Sequence, residues 1–423
     1  MTTPMEATVR AEIRDWLSAN WDPNLSLVEW RERLVNSGWG APAWPIALYG
    51  RGLEPAMASV VDDEMRRAGA VGVARSGARN LATQTLLAHG SDAQKRAFLP
   101  PTLTGRYSWC QLFSEPGSGS DLAGAVTRAD LKNGRWIVSG QKLWTTSAHH
   151  ADWGLLLART DWDVPKHAGL SFFLIDMHQP GIQVRPLRQM NGYASFNEVF
   201  LADAEVAPEH LIGQLGGGWT VATTTLMHER SHGDPSAAKP TDAGGREGRV
   251  YDEEREEIAI ATEPYGWYPQ RAGRVDLILE RARETGRIND PVVRQEIAKL
   301  LILDRSAKWT ALRARAAVAA GEGLGPAGSL IKLVGSHVAR AAARVHTLIS
   351  GADAMLAGAE APRNGLIAEV LISVPAVSIA GGTDEIQRNI IAERMLGMPK
   401  DPSSDTNRPF RDVPKNSMAR QPT

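Results

Sequence analysis

The periodicity of apolar residues changes twice along this chain, and that double change restricts its architecture more than any other feature. Residues 1–108 read as mainly helical, with helices expected over Ala7–Ala19, Ala56–Arg67 and Asn80–Ala88. A Gly- and Pro-rich connector runs from Gly38-Trp39-Gly40 through Ala43-Trp44-Pro45 to Tyr49-Gly50. Asp92 is placed to cap a helix over Ala93–Phe98 that Pro100-Pro101 stops. From Ser108 the texture is β. Asn133-Gly134 is a strong hairpin turn between Ala125–Leu131 and Arg135–Ser139. Trp153–Ala158, Leu170–Asp176, Ile182–Pro186 and Asn197–Asp203 follow as short strands with Gly and Pro between them. Strands without alternating helices predict an antiparallel sandwich or barrel, not a doubly wound sheet.

Helical spacing returns at Trp219. Asp290 is a natural N-cap with Pro291 in the first helical position, and Gly321 is a natural stop. Leu330, Val334, Val338, Ala341, Val345 and Leu348 form one apolar stripe of a bundle helix. Pro375 precedes a final helix around Glu385–Leu396. The organisation expected is an N-terminal helical domain (1–108), a middle β domain (109–216), a C-terminal helical bundle (217–400) and a flexible tail (401–423). Residues 231–271 interrupt the bundle with Gly, Pro and Asp, then the acidic run Asp252–Glu257, then Tyr265-Gly266-Trp267-Tyr268-Pro269. They read as a solvated insertion, or as a lid that contacts substrate.

Composition excludes several classes of function. The chain has 423 residues, 43% of them hydrophobic, which is enough for two or three cores. A net charge of −1 with interspersed signs offers no basic field for nucleic acid or an anionic membrane. A single cysteine, Cys110, rules out an intrachain disulfide and a thiolate metal cluster, and fits a reducing, cytoplasmic setting. The segment Met1–Trp16 is not a secretory signal, and no run of apolar residues is long enough to span a bilayer. His149-His150 has no further ligand at metal spacing, so no metal is expected.

Three motifs carry chemistry. The first is Phe113-Ser114-Glu115-Pro116-Gly117-Ser118-Gly119-Ser120-Asp121. It lacks the βαβ context and third glycine of a dinucleotide fingerprint, so a Rossmann reading is weak. The second is Gln141-Lys142-Leu143-Trp144-Thr145-Thr146-Ser147, and the third is Gly381-Gly382-Thr383-Asp384-Glu385-Ile386-Gln387-Arg388. In this order and at these separations they resemble the FAD-dependent acyl-CoA dehydrogenase family over residues 10–400, apart from the insertion. The resemblance implies an α+β fold: an N-terminal helical domain, a middle antiparallel β-barrel domain and a C-terminal four-helix bundle. It also implies FAD. Phe113, Ser114, Gly119 and Ser120 would line the flavin, Ser120 also touching substrate. Trp144 would pack on the flavin ring, although a core aromatic is the alternative for a strand-borne tryptophan. Thr146 would hydrogen-bond flavin N5, where a donor stabilises the arriving electron density. Thr383, Glu385 and Gln387 would hold the diphosphate and adenosine. Arg283 and Arg294 are the candidates for a contact to the neighbouring subunit's FAD, in a region where the family's Arg-x-x-Phe-Gly is incomplete.

The catalytic base needs separate treatment. Many family members carry a glutamate where this chain has Gly381, and a glycine side chain removes no proton. Its backbone N–H still corresponds to a donor for the thioester carbonyl. A subset that includes isovaleryl- and long-chain acyl-CoA dehydrogenases carries the base on the first helix of the C-terminal bundle, just before an arginine. Glu229 and Arg230 stand there, Arg230 matching the family's substrate-site arginine. Otherwise His228-Glu229-Arg230 is a polar helix end. The expected reaction is dehydrogenation of an acyl-CoA to a trans-2-enoyl-CoA, Glu229 taking the pro-R α-proton. The resemblance implies reoxidation by an electron-transfer flavoprotein and a homodimer, homotetramer or heterotetramer. An acyl-CoA oxidase using O₂ and a catalytically silent partner subunit are the competing readings.

Overall fold

The computed structural model describes residues 4–75, 77–231, 241, 245–319, 325–400, 402, 405 and 407–414. It opens with helices α1 (Pro4–Asn20), α2 (Leu27–Ser37), α3 (Pro55–Ala68), α4 (Ala78–His89) and α5 (Asp92–Thr104). Helix α2 is not among the expected helices, although Leu27, Trp30, Leu34 and Val35 recur at helical spacing and its start is written in Ser26-x-x-Glu29. The Ser26 side chain accepts from the Glu29 N–H and Glu29 reaches back to the Ser26 N–H, a reciprocal capping box. Ser91, rather than Asp92, caps α5 in the same way with Gln94. Pro100 and Pro101 do not stop α5, which continues through both to Thr104. Each lacks the N–H that would close its own helical bond. The Thr102 hydroxyl bonds the Phe98 carbonyl at 2.6 Å, and buried Phe98, Leu99 and Leu103 hold the turn by packing.

Eight strands form one sheet among the described residues: β1 (Trp109–Leu112), β2 (Arg128–Lys132), β3 (Arg135–Thr146), β4 (Trp153–Arg159), β5 (Leu170–Asp176), β6 (Ile182–Leu187), β7 (Phe196–Val206) and β8 (Leu211–Ile212). Their order is β6-β7-β3-β2-β4-β5-β8, with β1 beside β4. Pairing is mainly antiparallel, as expected, but β1 runs parallel to β4 and β2 meets β4 in one parallel bridge. The Asn133-Gly134 turn has both residues at positive φ, +51° and +77°. Strand β3 outruns its expected end at Ser139 by seven residues, and that extension, paired with β7, carries most of the second motif. One face of the sheet packs with α4, α5 and α6 around Leu86, Phe98, Phe172 and Val221. The other encloses Leu156, Phe173, Val199 and Val206.

Beyond the sheet come α6 (Gly218–Ser231), α7 (Arg249–Thr262), α8 (Tyr268–Arg271), α9 (Ile278–Glu284), α10 (Pro291–Ala319), α11 (Ala327–Ser350), α12 (Leu366–Ser373) and α13 (Asp384–Arg394). Asp290 Oδ1 accepts from the N–H groups of Val292 and Val293, the cap expected from sequence. Gly321 lies outside the described residues. Helices α10 and α11 pack through Ile297, Leu300, Val338, Ala342, Val345 and Ile349, with Val334, Ala341 and Leu348 of the expected stripe partly buried against them.

Two expectations are corrected. The 231–271 segment, where described, is not a solvated insertion. In α7, Val250 and Tyr251 are buried in the core of the N-terminal helices, and Tyr251 donates to the Gly69 carbonyl at 2.6 Å. Glu257 pairs with Arg31 at 2.7 Å and Arg79 at 3.2 Å. Trp267 is buried and donates to Ser195 at 3.1 Å. The acidic run thus alternates between a docked and a solvated helical face. Nor is the tail wholly free. Phe410 is buried, its ring lies 3.4 Å from the Arg159 guanidinium, and its N–H donates to the Val164 carbonyl. A lone aromatic among polar residues has no periodicity from which such docking could be read.

Candidate active site

The first two motifs are pinned together by one buried ion pair. Lys142, fully buried in β3, donates to Glu115 at 2.8 Å and to the Phe113 and Leu157 carbonyls at 3.0 and 2.7 Å. Glu115 also accepts from the N–H groups of Val126 and Thr127. Burial pulls the Lys142 ammonium below the usual lysine range, with Glu115 opposing. Burial would raise the Glu115 carboxyl, but Lys142 and the amides hold it lower. Leu143 N–H donates to the Ser114 carbonyl at 2.8 Å, completing the junction. Glu115 and Lys142 belong to the first and second motifs, but the sequence alone gives them no role. A lysine on a strand gives no sequence signal of full burial.

The junction fixes what faces outward. A bulge between Lys142 and Thr145 breaks the β3–β7 register. Trp144 takes φ +60° there and its side chain turns to the surface, 53% exposed, edge-on to Phe196 at 5.6 Å. Bulges re-aim side chains in this way, and a bulky residue at positive φ is held there by its surroundings. The core-aromatic alternative for Trp144 is therefore wrong. Phe113 is buried, Ser114 half-buried, and Gly119 and Ser120 exposed. A Cβ on Gly119 would meet nothing within 4 Å.

Glu229 lies near the end of α6, half-buried, and accepts from Gln111 Nε2 of β1 at 3.4 Å. Helix α6 is held to α4 by a buried Thr85–Thr225 hydroxyl pair at 2.8 Å. Arg230 is on the same turn, but its side chain lies outside the described residues. Gln111 was not singled out from sequence, because strand alternation alone does not identify what a side chain faces.

The third motif is a helix cap. Thr383 accepts from the Ile386 N–H at the start of α13, and Gln387 Nε2 donates to the carbonyls of Gly381 and Gly382, each at 3.0 Å. Asp384 anchors the turn to α11 through Lys332, Ser336 and Arg340 at 3.1, 2.8 and 3.2 Å. Burial would raise the Asp384 carboxyl, but these partners outweigh it and hold it below its ordinary value. Gly381 is exposed at φ +66°, with no atom within 4 Å of where a Cβ would sit. Space for a side chain exists, but the backbone conformation disfavours one. Glu385 points to solvent beside Arg388, and Arg283 and Arg294 are exposed. None of these three lines the cavity formed by α2, α4, β1 and α7.

A cavity of about 470 Å³ lies where α2, α4, β1, the end of β3 and α7 meet, and Thr146 and Ser147 are on its wall. FAD suits the residues present. Trp144 offers a half-exposed ring, Gly119 leaves open space, and Gln387 Oε1 is buried without a hydrogen-bond partner among the described residues.

The chain matches the acyl-CoA dehydrogenase N-terminal domain over residues 3–106, the middle domain over 110–204 and the C-terminal domain over 270–396. It is 35% identical to acyl-CoA dehydrogenase FadE34 of Mycobacterium tuberculosis, over 87% of this chain but only 46% of FadE34. It is 32% identical to acyl-CoA dehydrogenase IpdE1 of the same organism, over 93% of this chain and 97% of IpdE1. The ChsE4-ChsE5 complex of M. tuberculosis superimposes with a TM-score of 0.63 at 25% identity, covering 95% of this chain and 99% of that one. An acyl-CoA dehydrogenase from Geobacillus kaustophilus shares the fold, with a TM-score of 0.60 at 21% identity, over 94% and 99% of the two chains. With its three domains in order and its likeness spanning nearly the whole of IpdE1, this chain belongs to the FAD-dependent acyl-CoA dehydrogenase family.

Proposed function

We propose that the protein dehydrogenates an acyl-CoA thioester to the trans-2-enoyl-CoA with Glu229 as the base. The observation that carries this reading is the approach of Glu229 to Gln111. It puts a carboxylate from α6 against the strand that leads directly into Phe113 and Ser114. Bound FAD supplies a hydride acceptor at N5. Phe113, Ser114, Gly119, Ser120, Trp144 and Thr146 would hold the ring, and Thr383, Glu385 and Gln387 the diphosphate and adenosine. Arg283 and Arg294, both exposed, would contact the FAD of the neighbouring subunit. Glu229 takes the α-proton while the hydride leaves Cβ with its electron pair, and the Cα–Cβ double bond forms. The Gly381 N–H polarises the thioester carbonyl, and Arg230 binds substrate. An electron-transfer flavoprotein is the proposed electron acceptor.

The test is anaerobic reduction of the protein-bound flavin by a panel of acyl-CoAs. Glu229→Gln keeps the shape and removes the base, so flavin reduction should slow by about 10³-fold with FAD still bound. Reduction at the wild-type rate would remove Glu229 from the mechanism.

A further inference from the structure

Tyr265 closes the short 3₁₀ turn Glu263–Tyr265 that follows α7. Its ring packs edge-on against Tyr268 at 4.9 Å. Burial first, then Tyr268 and Glu229, push the phenol above its ordinary range, so it stays a neutral O–H donor. Its hydroxyl has no hydrogen-bond partner among the described residues, and it lies 3.7 Å from where a Cβ on Gly77 would sit. The same ring lines the cavity that has Thr146 on its wall. The segment between α6 and α9 therefore contributes directly to the cavity that has the proposed N5 contact on its wall, and Tyr265 feels the charge of Glu229.

The cavity wall is amphiphilic. Ile260 of α7 and Trp109 of β1 give it apolar surface, while Arg31, Arg79 and Glu257 give it charge. The two arginines are already engaged. Both bind Glu257, Arg31 also donates to the Gly72 carbonyl, and Arg79 to the carbonyls of Tyr107 and Gly105. A plain alkyl chain would strip water from the Tyr265 hydroxyl and give no bond in return. A carboxylate would face Glu253 and Glu257 on the same wall, with no uncommitted arginine to meet it.

We propose that this cavity receives the acyl group, and that the acyl group carries a neutral oxygen function, keto or hydroxyl, hydrogen-bonded by Tyr265. The inference rests on the dehydrogenase reading above. It makes Tyr265 a specificity-determining residue supplied by the inserted segment.

The test uses the FAD-loaded protein and three CoA esters of equal chain length: octanoyl, 7-oxooctanoyl and the mono-CoA ester of suberic acid. Binding is measured by calorimetry on Glu229→Gln, and flavin reduction on the wild type. The oxo ester should bind about 10-fold tighter than the octanoyl ester, the worth of one net hydrogen bond, and the suberyl ester weakest. Tyr265→Phe in the same background should remove most of that preference at an unchanged melting temperature. Equal binding of oxo and octanoyl esters, or a preference that survives Tyr265→Phe, overturns the inference while leaving the dehydrogenase reading intact. Wild-type turnover by Glu229→Gln overturns the base assignment instead. A bound flavin that none of the esters reduces overturns both.

Discussion

At the scale of single residues, the site depends on charges that cannot be removed one at a time. Lys142→Met leaves Glu115 buried and unpaired, which should cost about 3–5 kcal/mol in urea unfolding and weaken FAD retention. Adding Glu115→Leu should recover much of the stability, because an apolar pair needs no compensating charge. His346 makes a pH-dependent contribution. It is fully buried in α11, and burial depresses it to about 4 against an ordinary 6.5. It is therefore neutral in the folded state and protonates more readily when unfolded. Its contribution is complete above pH 6.5 and is lost as pH falls toward 4, amounting to about 3 kcal/mol. Stability measured from pH 7.5 to 4 should fall through that window, and His346→Gln should flatten the fall. The motifs made Trp144, Thr146 and Gln387 legible as candidates. They could not reveal that Trp144 sits at positive φ, that Lys142 is a buried pin, or that Gln111 faces Glu229, because each depends on a neighbour distant in sequence.

At the scale of elements, local signals and tertiary packing divided the work. Caps and turns were readable where a side chain answers its own backbone, as at Asp290-Pro291 and Asn133-Gly134. They failed where packing overrode propensity, as in α5 through Pro100-Pro101. Helix α7 is the larger case. Its acidic run looks solvated until Arg31 and Arg79 arrive from two other helices to meet Glu257. The tail is similar. Phe410 covers the buried Arg159, whose guanidinium bonds the Ala123 and Ala125 carbonyls. Burial lowers Arg159 to about 10. Phe410→Ala should lower stability by about 3 kcal/mol, read as a shift in the urea midpoint with little change in slope.

At the scale of the whole molecule, the apolar surface of the C-terminal helices is unusual. Ile302, Trp309 and Leu312 of α10 are 68%, 64% and 58% exposed, and Leu396 just past α13 is 69% exposed. Monomers seldom expose such side chains in clusters. This face suits self-association, so Trp309→Glu should lower the solution mass read by light scattering while leaving the far-ultraviolet circular dichroism unchanged. Among the described residues no helix is long and apolar enough to cross a membrane. The sequence by itself determined the order of helical, β and helical regions, because periodicity and turn chemistry are local. It also determined the family, because the three motifs stand in order along one chain and their recognition needs no tertiary contact. Only the tertiary structure decided which charges are buried, where the inserted helix docks, and that Tyr265 shares a cavity with Thr146. Those are contacts between segments far apart along the chain, and nothing in either segment alone encodes its partner.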